Sequence, residues 1–214
     1  MRNINEVELV GNIVDVFYKD DYFAVKIATS RMVYTKEGRE LKRQFPRVIW
    51  LGEQAKELSE KFKVKDNVKI IAEIDTSRRK KRGESNIRQL SLLGVSIDFA
   101  KNDWEERYGA EPTSKVRIED VNQFSLGGKV VDIYTDMENR NFARLTLRIA
   151  HNNRVDYPDV VLFGKPAEFV ANSVNVDDFV LVSGAIQTYR KEDGDEVDYR
   201  TSLVGNEIAL QNGN

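Results

Sequence analysis

The chain has 214 residues, of which 41% are hydrophobic and 32% are charged, a balance typical of a soluble globular protein with room for two domains of roughly 100 residues. It contains no cysteine, which excludes disulfides and thiolate-bound metals and is compatible with a reducing compartment. No apolar stretch approaches the ~20 residues of a membrane-spanning helix, and the first residues lack a signal-peptide core, so we expect a cytoplasmic protein without membrane contact.

Charge is distributed unevenly along the chain, although the formal net charge is only −2. Residues 1–100 contain 20 lysines and arginines against 15 acidic residues, a net of +5, whereas residues 101–214 contain 13 against 20, a net of −7. This asymmetry favours different partners for the two halves. Drift of charge on solvated surfaces is the alternative interpretation, because charge alone says nothing about fold.

The first half of the chain alternates between β-type runs and polar turns. Gly11 interrupts the first run, and an isolated glycine in a strand is typical of a bulge or sharp bend. Ala55, Leu58 and Phe62 have the spacing of one helix face. The predicted elements are strands at 7–17 and 22–28, a polar loop at 35–40, a strand at 45–51, a helix at 52–62, a strand at 68–74, a connecting segment at 75–86 and a strand at 87–97.

The second half repeats this order. Residues 45–55 return 112 positions later as residues 157–167, with an aromatic-proline opening, a β run, a glycine turn and a helix start. The same offset carries residues 68–72 onto residues 180–184. A repeat of this length indicates two copies of one domain rather than a solenoid.

Five strands with one helix between the third and the fourth is the layout of the OB-fold, a small Greek-key barrel. We therefore predict an all-β protein with one short helix per domain, built as two tandem five-stranded OB-fold barrels. The predicted domains are residues 1–99 and 120–214, joined by a linker at 100–119. This linker contains Trp104 and Tyr108, so we expect it to lie against a barrel.

Several stretches resemble the bacterial single-stranded DNA-binding proteins (the SSB family). Residues 160–168, Val-Val-Leu-Phe-Gly-Lys-Pro-Ala-Glu, resemble the third strand and helix of that family, and residues 182–191 resemble its fourth strand and the start of its long hairpin. Residues 9–13 and 27–30 resemble its first and second strands. The order and spacing of these stretches, found twice, make the resemblance specific.

The resemblance implies a protein that binds single-stranded DNA. Some members of the family carry two OB domains per chain and act as dimers, so the expected assembly is a homodimer with four barrels. Residues 209–214 contain no counterpart of the family's acidic C-terminal tail, which puts a role as a recruitment hub in doubt. An accessory or mobile-element protein is the interpretation that fits this departure.

Binding of single strands without sequence preference needs side chains on which bases stack and cations along the phosphates. Alternation in the third strand places Phe45, Arg47 and Leu51 on one face and Val48 and Trp50 on the other. The resemblance implies that the Phe45 face is outward; barrel core or dimer interface is the alternative, and core is favoured for Trp50. The predicted DNA-binding residues are Tyr34, Phe45, Arg47, Leu51, Arg78, Arg79, Lys80, Lys81, Arg82, Arg88, Tyr157, Phe163, Tyr189, Arg190 and Tyr199, with Tyr18 and Tyr134 as additional candidates.

The two copies differ in the charge of their hairpins. Residues 78–82, Arg-Arg-Lys-Lys-Arg, contain no acid and are predicted to contact phosphates, with a solvated loop as the alternative. The matching residues 189–198 contain two cations and five carboxylates, and Asp159 stands where the first copy has Arg47. We therefore predict unequal barrels, in which the second binds DNA weakly or serves partly in assembly. Docking of the acidic hairpin on the basic hairpin of a second molecule is another possible use.

Catalytic motifs are missing from the sequence. There is no Gly-x-x-x-x-Gly-Lys-Ser/Thr loop, no His-Glu-x-x-His and no Gly-x-Ser-x-Gly, and the acidic residues 193–198 do not have Ca²⁺-loop spacing. The single histidine, His151, is expected on the surface of a loop. We predict no enzymatic activity, no cofactor and no metal.

The predicted function is the coating of single-stranded DNA in replication, recombination, repair or DNA transfer, in the cytoplasm and associated with the nucleoid. An alternative is an OB-fold adaptor of a replication or primosome complex that binds proteins more than DNA; the acidic second half favours it and the basic hairpin disfavours it. A third interpretation is an anticodon-type RNA-binding module, which normally accompanies a catalytic domain. Fold alone does not decide among them.

Overall fold

The structure is a computed structural model that describes residues 2–35, 38–79, 87–100, 120–138, 141–151, 153–193 and 196–211. Within these ranges, side chains are described outside residues 31–41, 77–89 and 190–199. The elements, in chain order, are β1 (Ile4–Lys19), β2 (Tyr22–Thr35), β3 (Gly38–Gln44), β4 (Arg47–Leu51), α1 (Gln54–Lys61), β5 (Asn67–Arg79), β6 (Ile87–Phe99), β7 (Val121–Asp136), β8 (Phe142–His151), β9 (Arg154–Asp156), β10 (Asp159–Phe163), α2 (Lys165–Ser173), β11 (Phe179–Asp193) and β12 (Glu196–Leu210).

The chain divides into two compact units. The smaller unit comprises Glu8–Ile71 and Gly94–Asn122, and the larger unit comprises Met1–Val7, Ala72–Leu93 and Gln123–Asn214. The sequence-based domain boundaries, 1–99, 100–119 and 120–214, stay a prediction.

Five strands of the larger unit close into a ring, the second barrel. β7 pairs antiparallel with β8 and with β11, and β11 pairs antiparallel with β12. β10 completes the ring, because it pairs antiparallel with β8 and parallel with β12. A closed five-stranded ring with this order is the topology of an OB-fold, and closure leaves no unpaired edge within the ring.

The strands of the first half follow the same order and form the first barrel. β2, β4, β6, β5 and β1 are successive neighbours, and β2 also pairs with β1, which closes the ring. α1 lies between the third and fourth strands of this ring, as α2 does in the second barrel. The predicted fold class, all-β with two tandem five-stranded OB barrels and one short helix in each, is confirmed.

The first strand of each barrel bends at a β-bulge. The register between β1 and β2 shifts between Ile13 and Asp15, and the register between β7 and β8 shifts between Val130 and Asp132. A bulge increases local twist and redirects the strand. Before the bend β7 pairs with β11, and from Lys129 onward it pairs with β8. The bends therefore lie just beyond the glycines, Gly11 and Gly128, that the sequence marks.

Alternating side chains fill the barrel interiors. On β4, Val48 and Trp50 are 0% and 1% exposed, and the Trp50 ring packs on Phe23 with 5.8 Å between ring centroids. The matching residues of β10, Val160 and Leu162, are fully buried. Because strand side chains alternate, the residues between them must face outward. Trp50 is therefore a core residue.

A glycine turn leads from the third barrel strand into each helix. Gly52 and Gly164 have φ of +80° and +61°, a region that side chains with a Cβ rarely adopt. Each helix packs through its buried residues, which include Ala55 in α1 and Ala167 and Val170 in α2. Neither described helix has the length or the apolar content to cross a bilayer.

Two extra strands extend the predicted barrels. β2 continues to Thr35 and pairs with β3 in a hairpin, from Thr29 opposite Gln44 to Thr35 opposite Gly38. The polar loop predicted at residues 35–40 was wrong at Thr35 and at 38–40, because strand pairing needs a hydrogen-bonded backbone partner and not an apolar pattern.

Other parts of the chain also differ from the predicted elements or lie outside the described residues. β5 runs on to Arg79, where the sequence suggested a connecting segment. β9 pairs with the end of β8. Linker residues 101–119, with Trp104 and Tyr108, lie outside the described part of the chain.

Candidate nucleic-acid interface

The predicted outward face of β4 is exposed. Phe45 and Leu51 are 43% and 56% exposed and Arg47 is exposed, whereas Val48 and Trp50 between them are buried. In the second barrel Phe163, at the place of Leu51, is 52% exposed. The strand period thus orients these side chains as the sequence predicts, and their contact with DNA stays a prediction.

Two aromatic rings and an arginine meet on the outer surface of the first barrel. The tight turn after β1 places Lys19 opposite Tyr22, with Asp20 at φ 52°, so that Phe17 and Tyr22 approach each other. Their ring centroids are 5.9 Å apart in an edge-to-face arrangement. Arg47 of β4 places its Cζ 5.8 Å from the Phe17 centroid and 6.0 Å from the Tyr22 centroid, within cation–π range. We call Phe17, Tyr22 and Arg47 the first cluster.

Three aromatic rings and an arginine meet on the outer surface of the second barrel. The ring centroids of Tyr134 and Phe142 are 6.2 Å apart, and those of Phe142 and Phe163 are 5.4 Å apart. Strand register causes these contacts, because Phe163 lies directly opposite Phe142 and Tyr134 lies opposite Arg144. Arg144 Cζ is 5.6 Å from the Tyr134 centroid. We call Tyr134, Phe142, Arg144 and Phe163 the second cluster.

In both clusters an arginine lies near the aromatic ring of the first barrel strand, but the arginine comes from a different strand in each barrel. Phe17 and Tyr134 occupy matching positions of the first barrel strand, 117 residues apart. Arg47 comes from the third barrel strand, whereas Arg144 comes from the second. The second outer surface therefore has a cation near its aromatic rings, although Asp159 stands at the place of Arg47. Position-by-position alignment of the two copies does not predict the contact of Arg144 with Tyr134, because the arginine lies on a different strand from the one that carries Arg47.

Charge differs at one matched cross-strand pair. In the first barrel Lys26 lies opposite Arg47, which places two cations side by side, and Lys26 Nζ is 4.0 Å from a carboxylate oxygen of Asp15. In the second barrel Thr146 lies opposite Asp159, and the Thr146 hydroxyl donates a hydrogen bond of 2.5 Å to the Asp159 carboxylate. The first pair suits phosphate oxygens and the second does not.

The remaining predicted site residues belong to several strands or lie outside the described part of the chain. Tyr157 is half-buried, and its backbone N–H donates to the Thr76 hydroxyl at 2.8 Å; Tyr189 on β11 is 50% exposed. Six more predicted residues lie on β2, β5, β6, β11 and β12, and their side chains are outside the described part of the structure. They are Tyr34, Arg78, Arg79, Arg88, Arg190 and Tyr199. Three members of the basic hairpin, Lys80, Lys81 and Arg82, lie outside the described residues.

Sequence reasoning missed Phe17, Tyr22, Phe142 and Arg144, and it ranked Tyr134 below the third-strand aromatics. One signal for four of them was available, because Phe17 and Tyr22 flank one hairpin turn as Tyr134 and Phe142 flank its repeat. An aromatic residue on each side of a short turn brings two rings together across the hairpin. Arg144 had no such signal, since its proximity to Tyr134 follows from the register beyond the bulge.

A polar cluster joins β5 to β8 and β9 within the larger unit. Arg154 lies 3.5 Å from Glu73, 3.5 Å from Asp75 and 2.7 Å from Asp156, measured between guanidinium nitrogens and carboxylate oxygens. His151 Nδ1 is 3.3 Å from Glu73 Oε1. His151 is thus half-buried at the end of β8 beside a carboxylate, and the expectation of a plain surface-loop histidine was wrong because β9 folds back along β8.

The polar cluster changes the pKa of one of its carboxyl groups, that of Asp75. Burial raises the pKa of the Asp75 carboxyl, the neighbouring Arg154 guanidinium lowers it in part, and the Asp156 carboxylate raises it further. Arg154 serves three carboxylates at once, which identifies the cluster as a connection between strands. In the described part of the chain, no group of three or more histidine, aspartate or glutamate side chains is arranged to hold a metal ion.

Comparison with known families places the second half of the chain. Residues 121–211 match the family model described as "Single-strand binding protein family". Both stretches in which the second copy resembles the SSB family, residues 160–168 and 182–191, fall inside this match, so the resemblance is confirmed. A comparison with curated protein sequences gives no match.

Solved structures with the same fold cover the whole chain. The wild-type single-stranded DNA binding protein from Thermus aquaticus is similar with a TM-score of 0.73 and 18% identity, over 100% of this chain and 96% of that one. A deletion mutant of that protein is similar with a TM-score of 0.74 and 17% identity, over 100% of this chain and 97% of that one. The likeness extends the tandem OB architecture from the matched residues 121–211 to the first half of the chain.

Proposed function

We propose, taking the match of residues 121–211 to the single-strand binding protein family as the premise, that this protein binds single-stranded DNA with little sequence preference. The observation that carries the proposal is that each barrel presents a group of aromatic rings on its outer surface, with an arginine within cation–π distance of at least one ring. Every base has a face that can stack on such a ring, so binding of this kind is tolerant of sequence. The similar structures from Thermus aquaticus are those of a single-stranded DNA binding protein, which agrees with the proposal.

Cations near the first cluster support contact with phosphates. Lys26 and Arg47 lie side by side, and the β2–β3 hairpin adds Lys42 and Arg43, both exposed. Arg31, whose backbone lies opposite Lys42, brings a further cation to this hairpin. These cations, and the basic residues 78–82, would attract a backbone that carries one charge per nucleotide, and binding should weaken steeply as salt rises.

The finer parts of the proposal concern assembly and process. We propose a homodimer that presents four OB barrels to one strand, in the cytoplasm and in contact with the nucleoid. The processes would be replication, recombination, repair or DNA transfer, all of which expose single strands. The protein would act by binding rather than by catalysis, with no cofactor.

A second candidate function is that of an OB-fold adaptor that binds proteins more than DNA. The net charge of −7 over residues 101–214 favours it, because an acidic surface repels phosphates.

Titration of labelled dT oligomers of increasing length with the full-length protein tests the proposal, read by fluorescence anisotropy at low and high salt. Saturation at a defined length, with affinity that falls steeply with salt, would support single-strand binding and give the site size. Absence of binding at low salt would overturn it and favour the adaptor. Duplex DNA of matched length is the control for simple attraction of charge.

A further inference from the structure

The two clusters contain different proportions of rings and cations. The second cluster has three aromatic rings in succession, whereas the first has two, because Leu51 stands at the place of Phe163. The rings of Tyr134 and Phe163 are 51% and 52% exposed, so bases could stack on both.

Cations show the opposite trend. At one matched pair the first barrel has Lys26 opposite Arg47, and the second has Thr146 hydrogen-bonded to Asp159. Each surface also has one carboxylate beside a cation, since Lys26 Nζ is 4.0 Å from Asp15 and Arg144 is 3.7 Å from Asp132. The difference in net charge therefore comes from Asp159, which stands at the place of Arg47. The second outer surface is thus richer in rings and poorer in net positive charge.

From this contrast we propose that the two barrels hold a single strand by different chemistry. The second cluster binds unpaired bases by stacking, and its affinity changes little as salt rises. The first cluster and Lys26 bind phosphates and account for the salt dependence. The second barrel is then the salt-resistant part of the site, not merely a weak copy of the first. This inference rests on the proposed function, because it assigns a kind of contact with the single strand to each barrel.

Two ligands separate bases from phosphates. One is a dT oligomer, and the other is an oligomer of the same length with abasic sugars, which keeps the phosphates and lacks the bases. Stacking is worth about 5- to 150-fold in affinity for each base. Each phosphate contact on a single strand contributes ~0.7 to the slope of log affinity against log salt.

Matched substitutions exploit the repeat. Phe163→Leu installs the residue of the first barrel in the second, and we expect it to weaken dT binding by about 5-fold or more without changing the salt slope or the affinity for the abasic oligomer. Arg47→Gln should lower the salt slope by ~0.7 for both ligands. Leu51→Phe is the reciprocal control and should strengthen dT binding alone. Tyr134→Leu serves as a second variant of the exposed rings should Phe163→Leu fail to fold.

The outcomes are distinguishable. If the wild-type protein binds neither oligomer, the proposed function and this inference both fall. If the wild type binds dT but Phe163→Leu and Tyr134→Leu, both folded, leave dT affinity unchanged, the inference falls and the proposed function stands. It also falls if Phe163→Leu changes the salt slope as much as Arg47→Gln does. Loss of dT affinity at constant slope for Phe163→Leu, with loss of slope for Arg47→Gln, would support it.

Discussion

Asp156 accepts two hydrogen bonds from Thr76, one from its backbone N–H at 2.9 Å and one from its hydroxyl at 3.2 Å. Asp156 is 1% exposed, and its second carboxylate oxygen accepts a bond from Arg154 Nε at 2.7 Å. A buried carboxylate is tolerated only where such partners replace water. This residue therefore connects β9 to β5 in the larger unit.

Asp156→Ala should destabilise the protein by about 3 kcal/mol, because it leaves the part-buried Thr76 N–H without its acceptor and Arg154 without its shortest partner. Urea unfolding followed by circular dichroism measures the change. Asp132→Ala removes an exposed carboxylate that faces Arg144 at 3.7 Å, and as the control it should change stability by less than about 1 kcal/mol. Equal effects of the two substitutions would contradict this account of Asp156.

The Asp75 carboxyl should make stability depend on pH. Burial raises its pKa in the folded protein. A group with a raised folded pKa contributes stability that is fully present below its unfolded value, about 3.9, and is lost as pH rises through the folded value. The stability of the wild type relative to Asp75→Asn should therefore decline as pH rises from about 4 towards neutrality. Urea unfolding of both proteins across this range measures it. Parallel pH profiles for the wild type and Asp75→Asn would show that Asp75 is not responsible.

Gly94→Ala should destabilise the first barrel. A methyl group at residue 94 would overlap the indole ring of the buried Trp50. Overpacking of this kind costs about 1–3 kcal/mol, because neither the strand nor the ring has free space. A lower urea midpoint with altered tryptophan emission is the expected result. Ser96→Ala, at an exposed position of the same strand, is the matched control, and no difference between the two variants would refute the contact.

Reversal of charge in the basic hairpin should separate the two candidate functions. The triple variant R79E/K81E/R82E removes three cations and adds three anions, so electrostatic attraction for a single strand should be lost. Anisotropy with dT oligomers reads binding, and light scattering reads the assembly, which should not change. The matched control is R190E/K191E in the acidic hairpin, for which we expect a smaller loss. Retained binding by the triple variant would remove this hairpin from the proposed interface.

Much of the architecture follows from local sequence patterns. The 112-residue offset predicts two copies, and the period of two around Val48 and Trp50 predicts which side chains lie inside. The glycine turn before each helix predicts the change from strand to helix, and Gly52 and Gly164 do have positive φ. Such features depend on a few neighbouring residues, so a linear sequence contains them.

One charged strand, β3, was not predicted from the sequence. β3 has the sequence Gly-Arg-Glu-Leu-Lys-Arg-Gln, in which no apolar alternation marks a strand. Its pairing with β2 forms through backbone hydrogen bonds at an edge of the sheet, where both faces can remain polar. The pattern of side chains therefore says little about such a strand.

The sequence by itself determined the two OB barrels, their helices and the outward phase of Phe45, Arg47 and Leu51. Only the tertiary structure decided which outward residues meet. Phe17 contacts Tyr22 and Arg47, and Arg144 lies over Tyr134, because cross-strand register beyond a bulge sets these neighbours. Register is a property of paired strands, and residues far apart in the chain become neighbours through it.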